Sequence, residues 1–426
     1  MMAGLLTILL VVAIGWPLTH GRDALRRLGI AYLAGAGLSF GVLLVASLLH
    51  VPWSRAVLVM PLLAIAITAS IVRRRELAVT LPRMHWLDLF TLVVVIGYVR
   101  FAVLGPTPEY DFIGIWGVKA KEFWLAGGVD WGWLANPFNE FAHVDYPLLV
   151  PMVFDAQTLL AGGWPDRWLG LVNVGFGISA LLVLRSFLDE DVAEPPLRAL
   201  ATLALAWTAL SPWIGLAEVA LVAYGTAGLL FLRRGETLRG AVLLGLAASC
   251  KNEGLTLIVA AAVALVIAGR RRDVLRLWPA GAIAAPWLVL RSAYQLQTDL
   301  TTGAVGPRVV QHLADIGSML RAMQTYSLGK PFFWTAVVAA LLLGVRRLGR
   351  ERFLATAVII QVLFFIAAYL ITPHDVTWHV RWSWERVVTQ LAAVIGFLAV
   401  VLIAPLLEDP PAATPKSDLN PISAGL

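Results

Sequence analysis

The stretch that decides the fold is residues 86–104, WLDLFTLVVVIGYVRFAVL, followed at once by GPTPEYD at residues 105–111. The first part is an apolar run of nearly the length, about 20 residues, that a perpendicular helix needs to cross a bilayer. The second part leaves that run and brings two carboxylates, Glu109 and Asp111, to the edge of the predicted span. The pattern predicts a helix that ends at a membrane surface where ionisable groups gather.

The rest of the chain repeats this apolar character. Of its 426 residues, 59% are hydrophobic and 14% charged, and the mean hydropathy is +0.79. Such a chain has too little polar surface to cover a soluble globule. The single cysteine, Cys250, excludes an internal disulfide and a cysteine-based metal cluster. We therefore predict an all-α, polytopic integral membrane protein.

The net charge of +6 comes from short arginine clusters that separate the apolar runs, which indicates topology and no nucleic-acid partner. All clusters fall on the cytoplasmic side if about thirteen transmembrane helices are drawn, with the N-terminus outside and the C-terminus inside. The run at 3–18 lacks a basic n-region and a cleavage site, so it is interpreted as the first span. The predicted spans are 3–18, 28–50, 55–72, 86–104, 165–187, 197–212, 216–232, 239–250, 254–269, 275–293, 331–346, 353–372 and 388–406.

This topology places residues 105–164, 294–330 and 373–387 on the extracytoplasmic side. The first of these segments contains FIGIWGVKAKEFW at 112–124 and YPLLVPMVFDAQTLLAGG at 146–163, where Pro151 and Asp155 interrupt the apolar pattern. If 146–163 crossed the membrane, every later arginine cluster would lie outside. We therefore expect both stretches to form interfacial helices in the first large extracytoplasmic loop.

The ionisable residues that are not explained by the arginine-rich side map to this same face. Charged groups beside apolar spans are costly and are functional candidates for that reason. They are Glu109, Asp111, Lys119, Lys121, His143, Asp145, Asp155, Glu218, Lys251, Glu253, His374, Asp375, His379, Arg381, Glu385 and Arg386, and the polar Asn252 between Lys251 and Glu253 belongs with them. Their convergence is the strongest functional signal in the sequence.

Ordinary structural roles compete with a functional one for several of these residues. Asp111 could cap a helix, Lys119 and Lys121 could form the solvated edge of an interfacial helix, and His143 could end one. Lys251 and Glu253 could form a local ion pair at a turn. The tryptophans of the first outer segment are typical of an aromatic belt at the membrane surface as well as of a sugar-stacking platform.

The order of motifs resembles the GT-C superfamily of polyprenyl-phosphate-sugar-dependent glycosyltransferases, and within it the branch of protein O-mannosyltransferases and lipid A aminoarabinose transferases. An acidic segment after a span is followed by an amphipathic helix and by HVDYPLLVP at 143–151. An acidic residue, Glu218 in GLAEVALVAY, then begins a later span, and CKNEG at 250–254 forms a turn. The last outer loop, TPHDVTWHVRWSWERVVTQ at 372–390, is similar to that of bacterial members.

The resemblance implies a GT-C-like transmembrane catalytic module at 86–406, preceded by N-terminal transmembrane helices at 1–85 and followed by a disordered cytoplasmic tail at 407–426. It implies a bacterial inner-membrane enzyme that moves a hexose or pentose, with inversion, from a polyprenyl-phosphate donor to a hydroxyl of a glycan, lipid or protein acceptor. The active site would face the extracytoplasmic side.

Such a transfer needs a general base for the acceptor hydroxyl and cations for the leaving phosphate. We predict Asp111 as the base, with Glu109 beside it. A divalent cation could be held where Asp111, Asp145 and Glu218 converge, but the reaction does not require one, so no metal or other cofactor is predicted. The predicted substrate-binding residues are His143, Asp145, Tyr146, Glu218, Lys251, Glu253, His374, His379, Arg381 and Arg386.

Two other classes of protein remain open from the sequence. An O-antigen-ligase-like or polymerase-like enzyme of lipid-linked glycans would depend on the arginines and histidines of residues 372–390 instead of on Asp111. A transporter or flippase would show charges near mid-bilayer and related halves. In this chain the charges lie at one end of the spans, which favours an enzyme.

Overall fold

The structure is a computed structural model that describes residues 2–73, 79–104, 110–165, 168–296, 298, 300, 303–327 and 331–408. It is 81% helical, and the described residues contain no β-strand, which confirms the all-α prediction. The described α-helices are α1 (Met2–Gly15), α2 (Ala24–Leu48), α3 (Arg55–Val72), α4 (Asp88–Leu104), α5 (Gly117–Ala126), α6 (Trp131–Ala135), α7 (Leu149–Ala161), α8 (Gly170–Asp191), α9 (Pro195–Ala209), α10 (Ala217–Arg233), α11 (Thr237–Cys250), α12 (Glu253–Ile267), α13 (Arg271–Leu275), α14 (Trp278–Ala293), α15 (Val305–Ala314), α16 (Ile316–Ser327), α17 (Pro331–Gly344), α18 (Arg352–Ile371) and α19 (Val376–Leu407).

Each predicted apolar run overlaps one of these helices, but α19 begins at Val376, so most of the predicted outer loop 373–387 is helical. Among the described residues, six helical segments are long and apolar enough to cross a membrane, so the protein is embedded in one. These segments are Ala24–Leu48, Arg55–Val72, Gly170–Asp191, Arg271–Ala293, Arg352–Ile371 and Val376–Leu407.

Side-chain caps explain where several helices begin. The carboxylate of Asp23 accepts from the backbone N–H of Arg26 at 2.9 Å and starts α2. Asp375 accepts in the same way from Trp378 at 2.7 Å and starts α19. Each cap satisfies one of the four backbone donors that a helix N-terminus leaves free.

The centre of the fold is formed by α2, α8 and α10, and two buried tyrosines tie these helices together. The hydroxyl of Tyr32 on α2 donates to the carbonyl of Val172 on α8 at 2.8 Å. The hydroxyl of Tyr224 on α10 donates to the carbonyl of Leu33 at 2.7 Å. Because both hydroxyls find acceptors, the rings can be buried without an unsatisfied polar group.

Helices α1 and α2 approach closely because glycine lies at their contact. A Cβ atom on Gly15 would be 1.8 Å from the carbonyl oxygen of Ala31, and one on Gly35 would be 2.1 Å from that of Val11. Small residues permit this kind of backbone contact between apolar helices. Since α2 also packs on α7 and α8, residues 1–85 share their core with the predicted catalytic module.

Charged side chains gather at both ends of α10. Glu218 lies in its first turn, and Arg233 in its last turn pairs with Asp191 at 2.7 Å and with Glu351 at 2.6 Å. The fifteen residue steps from Glu218 to Arg233 span about 22 Å of helix. The two ends are called the Glu218 end and the Arg233 end below.

Helix α7 differs from the interfacial helix predicted for residues 146–163. It is buried from Leu149 to Thr158 and packs against α1, α2 and α5. It is therefore a core helix. Pro151 lies in its first turn, where a missing backbone N–H is tolerated.

Helix α19 is the longest described element. Its 32 residues span about 48 Å, more than the roughly 30 Å of a bilayer's hydrocarbon core. At the Arg233 end it is held by Glu408, whose carboxylate accepts from the backbone N–H of Ala193 at 2.7 Å. The predicted tail from residue 409 onward lies outside the described residues.

Candidate functional site

A buried ion-pair group forms where α10, α11 and α12 meet at the Glu218 end. Lys251 follows the last residue of α11, and its ammonium lies 3.1 Å from Glu218 and 2.8 Å from Glu253. Burial alone would lower the pKa of Lys251, but the two carboxylates raise it above its ordinary value. Lys251 is therefore a fixed positive charge, and its contact with Glu253 is the local pair that the sequence left open.

A second ion pair joins Asp111 to Arg386 of α19, 275 positions apart in the chain. Asp111 precedes a π-helical turn at Phe112–Trp116, and its side chain makes no capping hydrogen bond there. The capping role considered for Asp111 is therefore not what the structure shows. The two side chains are 24% and 21% exposed, so a ligand can still reach them.

The two ion pairs belong to one cluster. Gln390 lies one turn after Arg386 on α19, and its amide donates to the carboxylate of Glu253 at 3.3 Å. The electrostatic influence of Glu218 reaches Arg386 as well. Helices α10, α12 and α19, the turn after α11 and Asp111 thus contribute charged or amide groups to one region.

Asp145 is attached to the same region through the turn at residues 250–254. The side chain of Asn252 donates to its carboxylate at 3.0 Å, and the indole of Trp287 donates to its backbone carbonyl at 3.3 Å. Asp145 is 3% exposed. These contacts fix the HVDYP segment against α12 and α14.

A stack of three rings forms the wall of the cluster. The ring of Tyr146 lies 5.5 Å from Trp116 on one side and 4.8 Å from His143 on the other, with planes tilted by 19° and 12°. The ammonium of Lys251 lies 5.8 Å from the centre of the same tyrosine ring. Trp116 is 1% exposed, so it belongs to the core and not to an aromatic belt.

Lys119 is enclosed by this wall. It is fully buried, donates to the carbonyl of His143 at 2.9 Å, and lies 4.9 Å from the centre of the Trp116 ring. Burial lowers the pKa of Lys119 to about 7, although nearby Asp145 opposes the change. The solvated-edge interpretation is therefore wrong for Lys119, whereas Lys121 is exposed as that interpretation expects.

The lowered pKa of Lys119 predicts a pH-dependent stability. Between about pH 7 and 10.5 the unfolded chain keeps the Lys119 proton while the folded chain loses it, so stability rises with pH across this window. The variant Lys119→Met lacks this contribution. We expect the stability of the wild type relative to Lys119→Met to increase on the order of a few kcal/mol as the pH rises through the window.

Thermal unfolding in detergent at several pH values from 7 upward measures this difference. The exposed neighbour provides the control, since Lys121→Met should follow the wild type at every pH. Parallel curves for Lys119→Met and the wild type would contradict the lowered pKa.

The remaining predicted residues lie at the start of α19, beside the cluster but outside its ion pairs. A ring nitrogen of His379 hydrogen-bonds the hydroxyl of Thr372 at 2.7 Å, and its ring contacts Tyr369 at 5.0 Å. His374 is exposed and lies 5.7 Å from His379. Arg381 is exposed and has the ring of Trp382 beside it. Glu109 lies outside the described residues.

Several polar atoms of the cluster are buried with no hydrogen-bond partner among the described residues. They are one oxygen of Glu218, the amide oxygen of Asn252 and Nε of Arg386. Buried polar atoms are normally paired, so each of these leaves a hydrogen-bonding position unused. No group of three or more histidine, cysteine, aspartate or glutamate side chains suited to a metal ion occurs in the part of the chain that is described.

One residue of the cluster, Gln390, was missed by the sequence interpretation, which had named Asn252 as a candidate and Trp116 as a belt or sugar-stacking residue. Gln390 carries no charge, and only the packing of α19 reveals its position. Comparison with protein-family models, with curated proteins and with solved structures gives no match for this chain.

Proposed function

We propose that this protein is a membrane glycosyltransferase of the GT-C type, which moves a sugar from a polyprenyl-phosphate donor to an acceptor hydroxyl. The observation that supports this most is the Asp111–Arg386 pair, set in one cluster with the ammonium of Lys251. A carboxylate beside two fixed cations combines the base and the phosphate-binding charges that the transfer needs.

The proposal includes the full topology of thirteen spans, with the N-terminus and the Glu218 end on the extracytoplasmic side. Its support is the position of the arginine clusters at the Arg233 end. Reporter fusions after Arg234 and Arg272 should report cytoplasm, and fusions at Asp130 and Asp375 should report the outside. A cytoplasmic signal at Asp130 would move the cluster to the other side and contradict an extracytoplasmic reaction.

In the proposed reaction, the acceptor oxygen forms a bond to the anomeric carbon of the sugar while the bond from that carbon to the phosphate oxygen breaks. Asp111 takes the proton of the acceptor hydroxyl. The polyprenyl phosphate leaves with the electron pair of the broken bond, and the anomeric centre is inverted in this single displacement.

Arg386 has two anionic partners in this scheme. In the structure it pairs with Asp111, and its buried Nε has no partner among the described residues. A donor phosphate offers the guanidinium a second, bidentate partner. We infer that phosphate binding draws Arg386 from Asp111, so that the carboxylate becomes able to accept a proton only when donor is bound.

The experiment that tests the proposal compares Arg386→Ala with Arg381→Ala in membrane vesicles supplied with polyprenyl-phosphate sugars. Removing a cation that stabilises the leaving phosphate should lower the transfer rate on the order of 10²-fold or more. Arg381 is the matched control because it lies on the same helix, exposed and outside the ion pairs. Equal loss in both variants would place the phosphate at the start of α19, and full activity in both would place it elsewhere.

A second enzyme class, the O-antigen-ligase-like glycan enzymes, is favoured by one observation. His379, Thr372, Tyr369 and Ser383 form a connected polar group, with 2.7 Å between His379 and Thr372 and 2.8 Å between Tyr369 and Ser383. Chemistry at this group would use Arg386 without Asp111. The Asp111 variant below separates the two classes.

A further inference from the structure

A second site lies on the other side of α19 from the cluster. It is a small cavity that opens to solvent at the Glu218 end, between α9, α16, α17 and α19. Four aromatic residues, Tyr326, Phe333, Trp334 and Trp384, line it. The other lining residues include Glu385.

The polar groups of this cavity are arranged for a ligand with hydroxyls. The indole of Trp384 donates to the hydroxyl oxygen of Ser327 at 2.6 Å, which fixes both side chains. Glu385 is exposed, and its carboxylate has no ion-pair or hydrogen-bond partner among the residues that the structure describes. A free carboxylate beside aromatic rings is the combination that binds a sugar ring, since the rings stack on its C–H face and the carboxylate accepts from its hydroxyls.

The cavity is closed at its inner end. One turn below Ala392, a Cβ on Gly396 would lie 2.7 Å from the side chain of Leu205 and 3.5 Å from that of Phe333. Side chains of α9 and α17 therefore meet α19 at this level. A long prenyl chain needs a groove that continues into the bilayer, so the shape favours a compact polar ligand.

The cavity and the cluster share one helix. Glu385 and Arg386 are consecutive residues of α19, so the rim of the cavity and the Asp111–Arg386 pair lie at the same height. The faces differ: positions 384, 385, 388, 389 and 392 line the cavity, whereas 386 and 390 face the cluster. A ligand in the cavity can thus be held beside the reacting groups without occupying the phosphate position.

Resting on the proposed glycosyltransferase function, we propose that this cavity binds a sugar residue of the acceptor. Its ring stacks on the aromatic wall, and its hydroxyls bond Glu385. The acceptor is then a glycan or glycolipid, not a protein side chain alone.

The test is saturation-transfer NMR on the full-length protein in nanodiscs, with methyl α-D-glucopyranoside, methyl α-D-mannopyranoside and methyl β-D-galactopyranoside as probes. At least one glycoside should receive saturation from the aromatic protons of the wild type. Trp334→Ala and Glu385→Gln should each weaken its affinity by about tenfold or more. Trp334→Phe keeps a stacking ring and should retain an intermediate affinity.

Trp207→Ala is the matched control, because Trp207 is 67% exposed on α9 and lies outside the cavity lining. It should bind the glycoside as the wild type does. The inference is overturned if no glycoside binds, if the cavity variants bind as well as the wild type, or if farnesol occupies the site and glycosides do not displace it.

Transfer of labelled sugar from donor, measured in the same preparations, separates this inference from the proposed function. Glycoside binding that depends on Trp334 and Glu385, in a protein that transfers no sugar, would leave the cavity assigned and remove the enzyme proposal. Transfer that proceeds normally in Trp334→Ala and Glu385→Gln would remove the cavity assignment alone.

Discussion

Asp111→Asn should express and insert normally, bind a polyprenyl-phosphate sugar, and transfer that sugar to an acceptor on the order of 10²–10⁴-fold more slowly than the wild type. Asparagine has nearly the size of aspartate and can still accept a hydrogen bond from Arg386, but it cannot take the proton of the acceptor hydroxyl. Transfer of labelled sugar in vesicles, with donor binding measured separately, distinguishes these two effects.

Asp375→Asn is the matched control for this substitution. Asp375 lies at the same end of the bundle and caps α19, and asparagine caps a helix as well as aspartate does. It should keep normal transfer, and Asp145→Asn should lose less than Asp111→Asn. Normal transfer in Asp111→Asn together with inactive Arg386→Ala would favour the ligase-like class. If neither change affected any glycan product, transport would become the better account.

Lys251→Met should produce the largest loss of stability. Glu218 is 1% exposed. Without Lys251, the carboxylates of Glu218 and Glu253 would lose the cation that contacts both. Leaving an uncompensated buried charge typically costs about 3–5 kcal/mol. Thermal unfolding of the purified protein in detergent should show this loss directly.

The double variant Lys251→Met with Glu218→Gln should recover much of the lost stability, because it removes the carboxylate that the single change leaves unpaired. Arg276→Met is the control, since the Arg276 side chain is 64% exposed in its contact with Asp273 and exposed pairs contribute little. If Lys251→Met were as stable as Arg276→Met, the buried cluster would not hold the helices together.

The helices could be predicted from the sequence because apolar runs separated by arginines leave few alternatives. The buried position of α7 could not be predicted in this way. Residues 146–163 contain Pro151 and Asp155, which are typical of a surface stretch, yet Asp155 is fully buried and neither of its oxygens has a hydrogen-bond partner among the described residues. The local sequence pattern shows only how polar residues 146–163 are. The burial of α7 depends on its packing against α1 and α2, which lie far from it in the chain.

The candidate site was also only partly predictable from the sequence. Topology placed its residues at one end of the spans, since apolar runs and arginines fix the height of a residue in the membrane. The topology did not show on which side of the helix bundle a residue lies. Arg381 and Arg386 could therefore not be distinguished from the sequence, although only Arg386 contacts Asp111. The burial of Lys119 depends on Trp116 and on the fold of residues 143–146 over it, which no local pattern contains.

Because α19 is long, a small change in its tilt moves one end by a large distance relative to the other. About 33 Å of helix separate Arg386 from Glu408, which is tied to Ala193 at the Arg233 end. A change of about 3° in the tilt of α19 around that tie moves Arg386 by nearly 2 Å, enough to separate it from Asp111. Because a spanning helix adjusts its tilt to the thickness of the bilayer, we expect the distance between Asp111 and Arg386 to vary with the length of the surrounding lipid chains.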